Sequence, residues 1–272
     1  MKEKKETITN PLLRKNDTLN PYRVATGLVL NRLKWDLSLE SLRSRKKLRK
    51  LKNSQEGKKA VIVCNGPSLL KTDLKLLDGV YSFGLNKINL LFNKSDFRPS
   101  CIVSVNKFVI DQNQEFYNKT KIPLFIDSQG YKSPIKSRIN TCFLHSSSSG
   151  FAKDCSISLS QGYTVTYVAM QLAFHMGFSS IALIGCDHSF SIKGDPNQTV
   201  ESEDTDPNHF DPNYFAGGVK WQLPDLFESE VSYVRAKKSF YASDKSIYDC
   251  TINGELDIFP KMSLENFIDQ NI

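Results

Sequence analysis

AVIVCNGPS, residues 60–68, decides the fold. Five apolar residues run straight into Asn65-Gly66-Pro67-Ser68, which is strand length closed by turn residues. Such a run reads as a strand buried on both faces, meeting a tight turn. SIALIGCDH, residues 180–188, has the same form, ending in Gly185-Cys186-Asp187-His188. Tyr81–Leu85, Cys101–Val105, Pro123–Ile126 and Thr141–Leu144 are further strand candidates, with Ile247–Thr251 and Glu255–Phe259 late in the chain. Helical segments alternate with them: Leu69–Leu77, Thr164–Met176 between Gly162 and Gly177, Pro224–Tyr241 and Leu264–Ile268. Buried strands alternating with helices predict an α/β domain with a largely parallel sheet. Ligands of such sheets bind beyond the carboxyl ends of the strands. That rule selects the turn after Cys64, the Val105-Asn106 step and the turn after Cys186.

Upstream of this pattern the composition changes. Residues 1–60 hold 17 Lys/Arg against 6 Asp/Glu, a net of +11, and residues 61–272 carry a net of −4. The basic balance belongs to an N-terminal arm, and the mildly acidic body argues against a protein that binds nucleic acid over its whole surface. Residues 1–20 are polar and broken by Asn10-Pro11 and Asn20-Pro21, so disorder is expected there. Residues 22–52 read as helical and end in the basic run Arg43–Lys50. We expect a basic arm over residues 1–57 and a body over 58–272. The arm has two readings, a solvated or subunit-packing helix, or peripheral attachment to anionic lipid.

No run approaches the ~18 apolar residues of a membrane span, and the first residues lack the apolar core of a secretory signal. None of the six cysteines forms a CxxC pair. Reduced, buried cysteines in a cytoplasmic protein are expected, without a zinc site.

Three places could carry chemistry. In the first turn, Gly66 lets a ligand approach the backbone and Ser68 could cap the next helix, whose N–H groups suit a phosphate. The spacing matches neither a P-loop nor a dinucleotide fingerprint, so a plain strand-to-helix turn is the competing reading. At the second turn, Asp187 could accept from a ribose hydroxyl or bind Mg²⁺, and His188 could serve as acid, base or donor. The alternative is an Asp that caps a turn. The third place is the polar stretch Asp195–Gln222, within a lid expected at about residues 190–222. A solvated loop has no need of Phe210, Tyr214, Phe215 and Trp221, so this one should fold onto something. It holds His209, the best general acid/base candidate. A lid pinned by aromatics without chemistry is the other possibility. His175, amid apolar residues in a helix, reads as a core histidine.

VIVCNGPSL, the glycine-bounded helix from Gly162 to Gly177, and IALIGCDHSF at 181–190 together resemble the 6-hydroxymethylpterin diphosphokinase MptE-like family, itself similar in pattern to the bacterial sialyltransferases of glycosyltransferase family 42. The resemblance covers about residues 58–260. It implies a Rossmann-like three-layer α/β/α domain with a mainly parallel sheet and a smaller C-terminal lid, which the N-terminal helical arm read from the charge pattern would precede. It also implies nucleotide contacts at Asn65, Asn86, Asn106, Tyr163 and Thr164, and a lid histidine-aromatic pair at His209-Phe210. Where the sialyltransferases carry an arginine before the central helix, this chain has Gly162. At the position of their catalytic histidine it has Asn213.

These readings together lead us to expect a nucleotide-dependent transferase, glycosyltransferase-like, working with a nucleotide-activated sugar in surface polysaccharide biosynthesis. Asn65, Gly66, Pro67, Ser68, Asn86, Asn106, Tyr163, Thr164 and Gly185 would line the nucleotide. His209 and Asp187 would be catalytic, and His188, Asn213 and Tyr214 would face substrate from the lid. The co-substrate would be a CMP-sugar or ATP, and the acceptor a hydroxyl of a glycan or a pterin-like compound. Two alternatives stay open: a diphosphokinase acting on ATP with Mg²⁺ at Asp187, and a non-catalytic nucleotide- or glycan-binding module. No nucleic-acid partner is expected. The arm would give either a homo-oligomer or contact with the inner membrane face.

Overall fold

The computed structural model describes residues 20–128, 135–147, 150–190 and 194–270. The disorder expected over residues 1–19 lies outside them, as do residues 191–193 of the lid.

The chain opens with α1 (Pro21–Asp36). Asn20 caps it by accepting from the N–H groups of Tyr22 and Arg23, and Pro21 stands where no N–H is needed. Ser38 then accepts from Ser41 N–H and starts a second helix, α2 (Leu39–Leu51). The single helix expected over 22–52 is therefore two, because Ser38 offers the backbone a cap in mid-segment.

The sheet strands are β1 (Lys59–Val63), β2 (Tyr81–Leu85), β3 (Cys101–Ser104), β4 (Leu124–Asp127) and β5 (Thr141–Leu144). After them come two-residue strands β6 (Ser146–Ser147) and β7 (Leu159–Ser160), then β8 (Ser180–Ile184), β9 (Thr199–Glu201), β10 (Lys220–Gln222) and β11 (Ser246–Asp249). The remaining helices are α3 (Lys107–Gln112), α4 (Gln114–Lys119), α5 (Val165–Met176), α6 (Leu226–Tyr241) and α7 (Leu264–Asp269). Seven strands form the main sheet in the order β11-β8-β1-β2-β3-β4-β5. Every neighbouring pair is parallel. The chain builds outward from β1 to β5, then returns to the other side of β1 for β8 and β11. The order reverses between β1 and β8, which makes their carboxyl ends the switch point of the sheet.

Alternation along each strand sends side chains to two cores. Ala60 and Ile62 of β1, and Cys64 just after it, face the core covered by α2, α5 and α6, where Leu48, Leu172 and Phe240 are buried. Val61 and Val63 face the other core, with Leu69, Tyr117, Phe267 and the lid aromatics Phe210, Tyr214, Phe215 and Trp221. The fold is thus the α/β, Rossmann-like arrangement, with helices before the first strand. Gly177 closes α5 at φ 93°, the left-handed cap its position predicts.

Two further expectations change. Leu69–Leu77 is two 3₁₀ turns, Pro67–Lys71 and Leu74–Leu77, since Asp73 accepts from Lys75 N–H and restarts the chain. Glu255–Phe259 is no strand: it buries Leu256 and Phe259, and only Asp249 and Lys261 form an isolated bridge nearby. Helices α3 and α4, six residues each, are too short to show a period in sequence. All six cysteines are buried and unpaired. Among the described residues no helix is long and apolar enough to cross a membrane.

Helix α2 is held to the body along its length. Ser44 Oγ accepts from Phe143 N–H, Lys47 Nζ donates to Thr141 O and Arg138 O, and His175 Nε2 lies 2.8 Å from Leu48 O. Leu48 is 2% exposed. Leu48→Ala should cost about 2–5 kcal/mol in urea denaturation. A cost near zero would mean that α2 is an appended arm and not a layer of the domain.

Candidate functional site

The ladder between β1 and β8 does not stop at the ends of the strands. Cys64 N–H donates to Ile184 O, and Gly66 N–H donates to Gly185 O at 2.8 Å. The Asp187 carboxylate then locks the two turns, Oδ1 accepting from Ser68 N–H at 3.1 Å and Oδ2 from Ser68 Oγ at 2.7 Å. The approach is so close that a Cβ on Gly66 would stand 1.9 Å from Asp187 Oδ2. Gly185 sits at φ 66°, its Cα position against the Cys64 carbonyl.

These contacts occupy the N–H groups at the helix end of the turn. Gly66 N–H goes to Gly185, Ser68 N–H to Asp187, Leu69 N–H to Gly66 O, and Pro67 has none. Ligand recognition there falls mainly to side chains. Asn65 is 8% exposed, and its Nδ2 donates to Leu85 O at 3.0 Å and to the Tyr214 hydroxyl at 3.1 Å. Its Oδ1 is buried with no partner among the described residues. A buried acceptor left open at a switch point is a place for a ligand donor.

The other strand ends are also polar. Asn86, at φ 48° after β2, accepts from Ser104 Oγ, and its carbonyl accepts from the Tyr117 hydroxyl. Asn106 caps α3, taking the N–H groups of Phe108 and Val109. At the end of β4, Asp127 accepts from Ser146 Oγ and from Gln161 Nε2. Before α5, Gly162 and Tyr163 lie successively at φ 55° and 62°. A Cβ on Gly162 would fall 2.2 Å from the Tyr167 ring, which bars an arginine there. The Tyr163 ring is left half exposed, and Thr164 caps α5.

The lid folds onto the end of β1. Phe210 N–H donates to Asn65 O at 2.8 Å, and the Tyr214 hydroxyl also receives Lys87 N–H. Antiparallel β9 and β10 close the lid's base. His209 stacks flat on Tyr214, ring centroids 3.9 Å apart, with Phe215 edge-on at 5.3 Å. Its Nδ1 lies 2.7 Å from Oδ2 of the buried Asp206. Asp206 Oδ1 in turn accepts from Asn208 N–H. A carboxylate accepts, so His209 Nδ1 is the donor of this pair, and in the neutral imidazole the lone pair would stand on Nε2. Nε2 has no partner among the described residues.

The structure therefore brings Asn65, Tyr214, His209 and, through the 187–190 turn, Phe190 to one place; Phe190 is 6.4 Å from the His209 ring. It separates others. His188 turns toward α6, with Nε2 2.9 Å from Glu230 Oε1. Asn213 is exposed at the lid's outer turn. Asp187 does not fit the metal role: both its oxygens hold Ser68, and no three His, Cys, Asp or Glu side chains cluster among the described residues.

Sequence reasoning passed over Lys87, Asp127 and Gln161, and it did not pair Asp206 with His209. Asp206 had a signal, since Asp-x-x-His in a turn can put both side chains on one side. Lys87 had none, because its burial comes from the lid. Its Nζ donates to Tyr214 O and Gln112 Oε1 and lies over the Phe215 ring. Burial pulls its pKa down to about 8, against a smaller opposing pull from Asp206.

The family described as "6-hydroxymethylpterin diphosphokinase MptE-like" matches residues 37–193, more than half of the chain. In structure the chain is similar to the MAf glycosyltransferase from Magnetospirillum magneticum AMB-1, at TM-score 0.49 and 13% identity. That match covers 84% of this chain and 39% of the other, so the chain spans well under half of that protein. No curated protein matches it in sequence.

Gly66→Ala should destabilise the fold, and the loss should shrink in an Asp187→Ala background, where the nearest clash is gone; thermal unfolding of the four proteins reads the coupling. Additive losses would mean that the two turns do not depend on each other. The unfolded chain keeps the Lys87 proton to about pH 10.5, whereas the folded chain releases it near 8. The unfolded state thus binds more protons between those values, so this group favours folding increasingly as pH rises through them. Wild-type stability should rise relative to Lys87→Met over that window, by on the order of 3 kcal/mol. A difference that stays flat with pH would show Lys87 to be solvated.

Proposed function

The chain belongs to the MptE-like family, and from that premise we propose that it is a nucleotide-dependent transferase whose general base is His209. The observation that carries the reading is the docking of the Asp206–His209 pair, through Phe210 and Tyr214, onto Asn65 at the switch point of the sheet. Ligands of open α/β sheets enter there, and a histidine held by a buried carboxylate is equipped for proton transfer.

In this reading the nucleotide lies against side chains at the carboxyl ends of β1 to β3. Asn65 Oδ1 accepts from it, Asn86 and Asn106 flank it, and the half-exposed Tyr163 covers it. The Gly66–Ser68 backbone shapes the floor without donating. The Gly66–Asp187–Ser68 tie keeps that floor in one geometry, so Asp187 acts as a positioning residue.

For a nucleotide-activated sugar, the acceptor hydroxyl loses its proton to His209 Nε2 as its oxygen bonds to the sugar carbon. The bond from that carbon to the phosphate oxygen breaks, and its electron pair leaves with the nucleotide. Asp206 stabilises the imidazolium that forms. The side chains support a glycosyltransferase-like reaction, because the step asks for a base and no metal; surface polysaccharide synthesis on the cytoplasmic side is the setting we propose for it. Diphosphate transfer from ATP to a pterin-like hydroxyl is the second reading, favoured by the family's description. It needs a metal site that Asp187 does not offer.

Thermal-shift titration with CMP, CTP, UDP and ATP, with and without Mg²⁺, separates the two. The sugar reading expects stabilisation by a nucleoside mono- or diphosphate without metal. Stabilisation by ATP with Mg²⁺ alone, with AMP released on turnover, would transfer the assignment to the kinase. No response to any nucleotide would sink both. His209→Ala should lower nucleotide release from the active donor by about 10²–10⁴-fold, with donor affinity kept. Asp206→Asn should fall between the two.

A further inference from the structure

The outer side of α1 and α2 is apolar and cationic at once. Val29, Leu30, Leu33 and Leu37 fall on one face of α1 and its continuation, at i, i+1, i+4 and i+8. The opposite face carries Trp35, buried beside His145. Beyond the Leu37-Ser38 break, Leu39 and Leu42 lie on the solvent face of α2, opposite Leu48. Leu37 is 82% exposed and Leu39 73%. Large apolar side chains exposed in succession on neighbouring helices mark an interaction site.

The charges on these helices are equally one-sided. Residues 21–52 hold ten Lys/Arg and two acids. Both acids are taken: Asp36 pairs with Arg32 and Arg45, and Glu40 is buried with hydrogen bonds from Ser44 and Ser137. Arg23, Lys34, Arg43, Lys46, Arg49 and Lys50 are exposed, with no partner among the described residues.

One occupant satisfies both features. A second copy meeting this face would bring two sets of unpaired cations together, and their repulsion opposes association. A nucleic acid would use the cations and leave the leucines in water. An anionic bilayer takes both, leucines at the acyl boundary and cations among the phosphates. We propose that the α1–α2 surface docks the chain peripherally on anionic lipid through Leu33, Leu37, Leu39 and Leu42, flanked by Arg43, Lys46 and Lys50. His145, which packs on Trp35, follows β5 at its carboxyl end, the end of the sheet that carries Asn65. β5 stands four strand spacings from β1, about 19 Å. The lipid surface would border the end of the sheet where the site lies, but the inference needs no assumption about the reaction.

The test uses the full chain, since Leu48 rules out removing α2. Sedimentation is measured with vesicles of phosphatidylcholine alone and of phosphatidylcholine mixed with phosphatidylglycerol. Binding should be confined to the mixed vesicles and weaken about tenfold or more at high salt. A Leu37→Glu/Leu39→Glu/Leu42→Glu variant and an Arg43→Gln/Lys46→Gln/Lys50→Gln variant should each lose about tenfold or more. Both sets of side chains are exposed, so thermal unfolding should be unchanged and serves as the folding control. No binding by the wild type, equal binding to neutral vesicles, or full binding by either variant would overturn the proposal. So would a dimer, seen by light scattering, that the leucine variant abolishes, or RNA binding that survives the leucine changes.

Discussion

The carboxylate of Asp187 holds Ser68 by two hydrogen bonds, and the rest of the carboxyl end of the sheet is arranged around that contact. It joins turns 119 residues apart in sequence at the point where the strand order reverses. The contact demands glycine at 66, since any Cβ would occupy the space of Asp187 Oδ2. With the two turns tied, the carbonyl of Asn65 is fixed where Phe210 of the lid can reach it. The same tie takes the N–H groups of Gly66 and Ser68 from ligand binding. A site here recognises its ligand mainly with side chains.

The lid depends on the sheet in the same way. Its aromatics are part of the second core, so it is a packed layer and not a loose flap. That packing sets the environment of two groups. Lys87 is buried under Tyr214 and Phe215, which pulls its pKa down. His209 is clamped flat on Tyr214 with Nδ1 committed to Asp206, which leaves one defined nitrogen for chemistry. Asp249, at the end of β11, shows the same effect with opposite sign. Burial raises its carboxyl above the ordinary range, and Oδ2 has no partner among the described residues.

Much of the architecture was legible because buried parallel strands are short apolar runs closed by turn residues, and β1 and β8 show that form plainly. The boundaries of α5 were legible too, since Thr164 and Gly177 are chemically suited to its two ends. Misreadings fell where local and distant forces compete. Glu255–Phe259 has strand composition, yet its apolar residues serve the core without a ladder. The basic segment before residue 57 looks like an arm by charge, yet Ser44, Lys47 and Leu48 bind its second helix to β5 and α5.

Read without contacts, the residues already carry the α/β class, the glycine and proline punctuation at the switch point, the division of charge into +11 and −4, and a histidine in an aromatic-rich loop. These follow from composition and period, which are local. Contacts across the sheet commit the N–H groups of Gly66 and Ser68, make Asp187 a tie, pair Asp206 with His209, and divide the arm's charges between an anchored face and an open one. Each of those depends on which groups meet across the sheet. A hydrogen-bonding group's availability is set by its neighbours in space, and spacing along the chain does not reveal them.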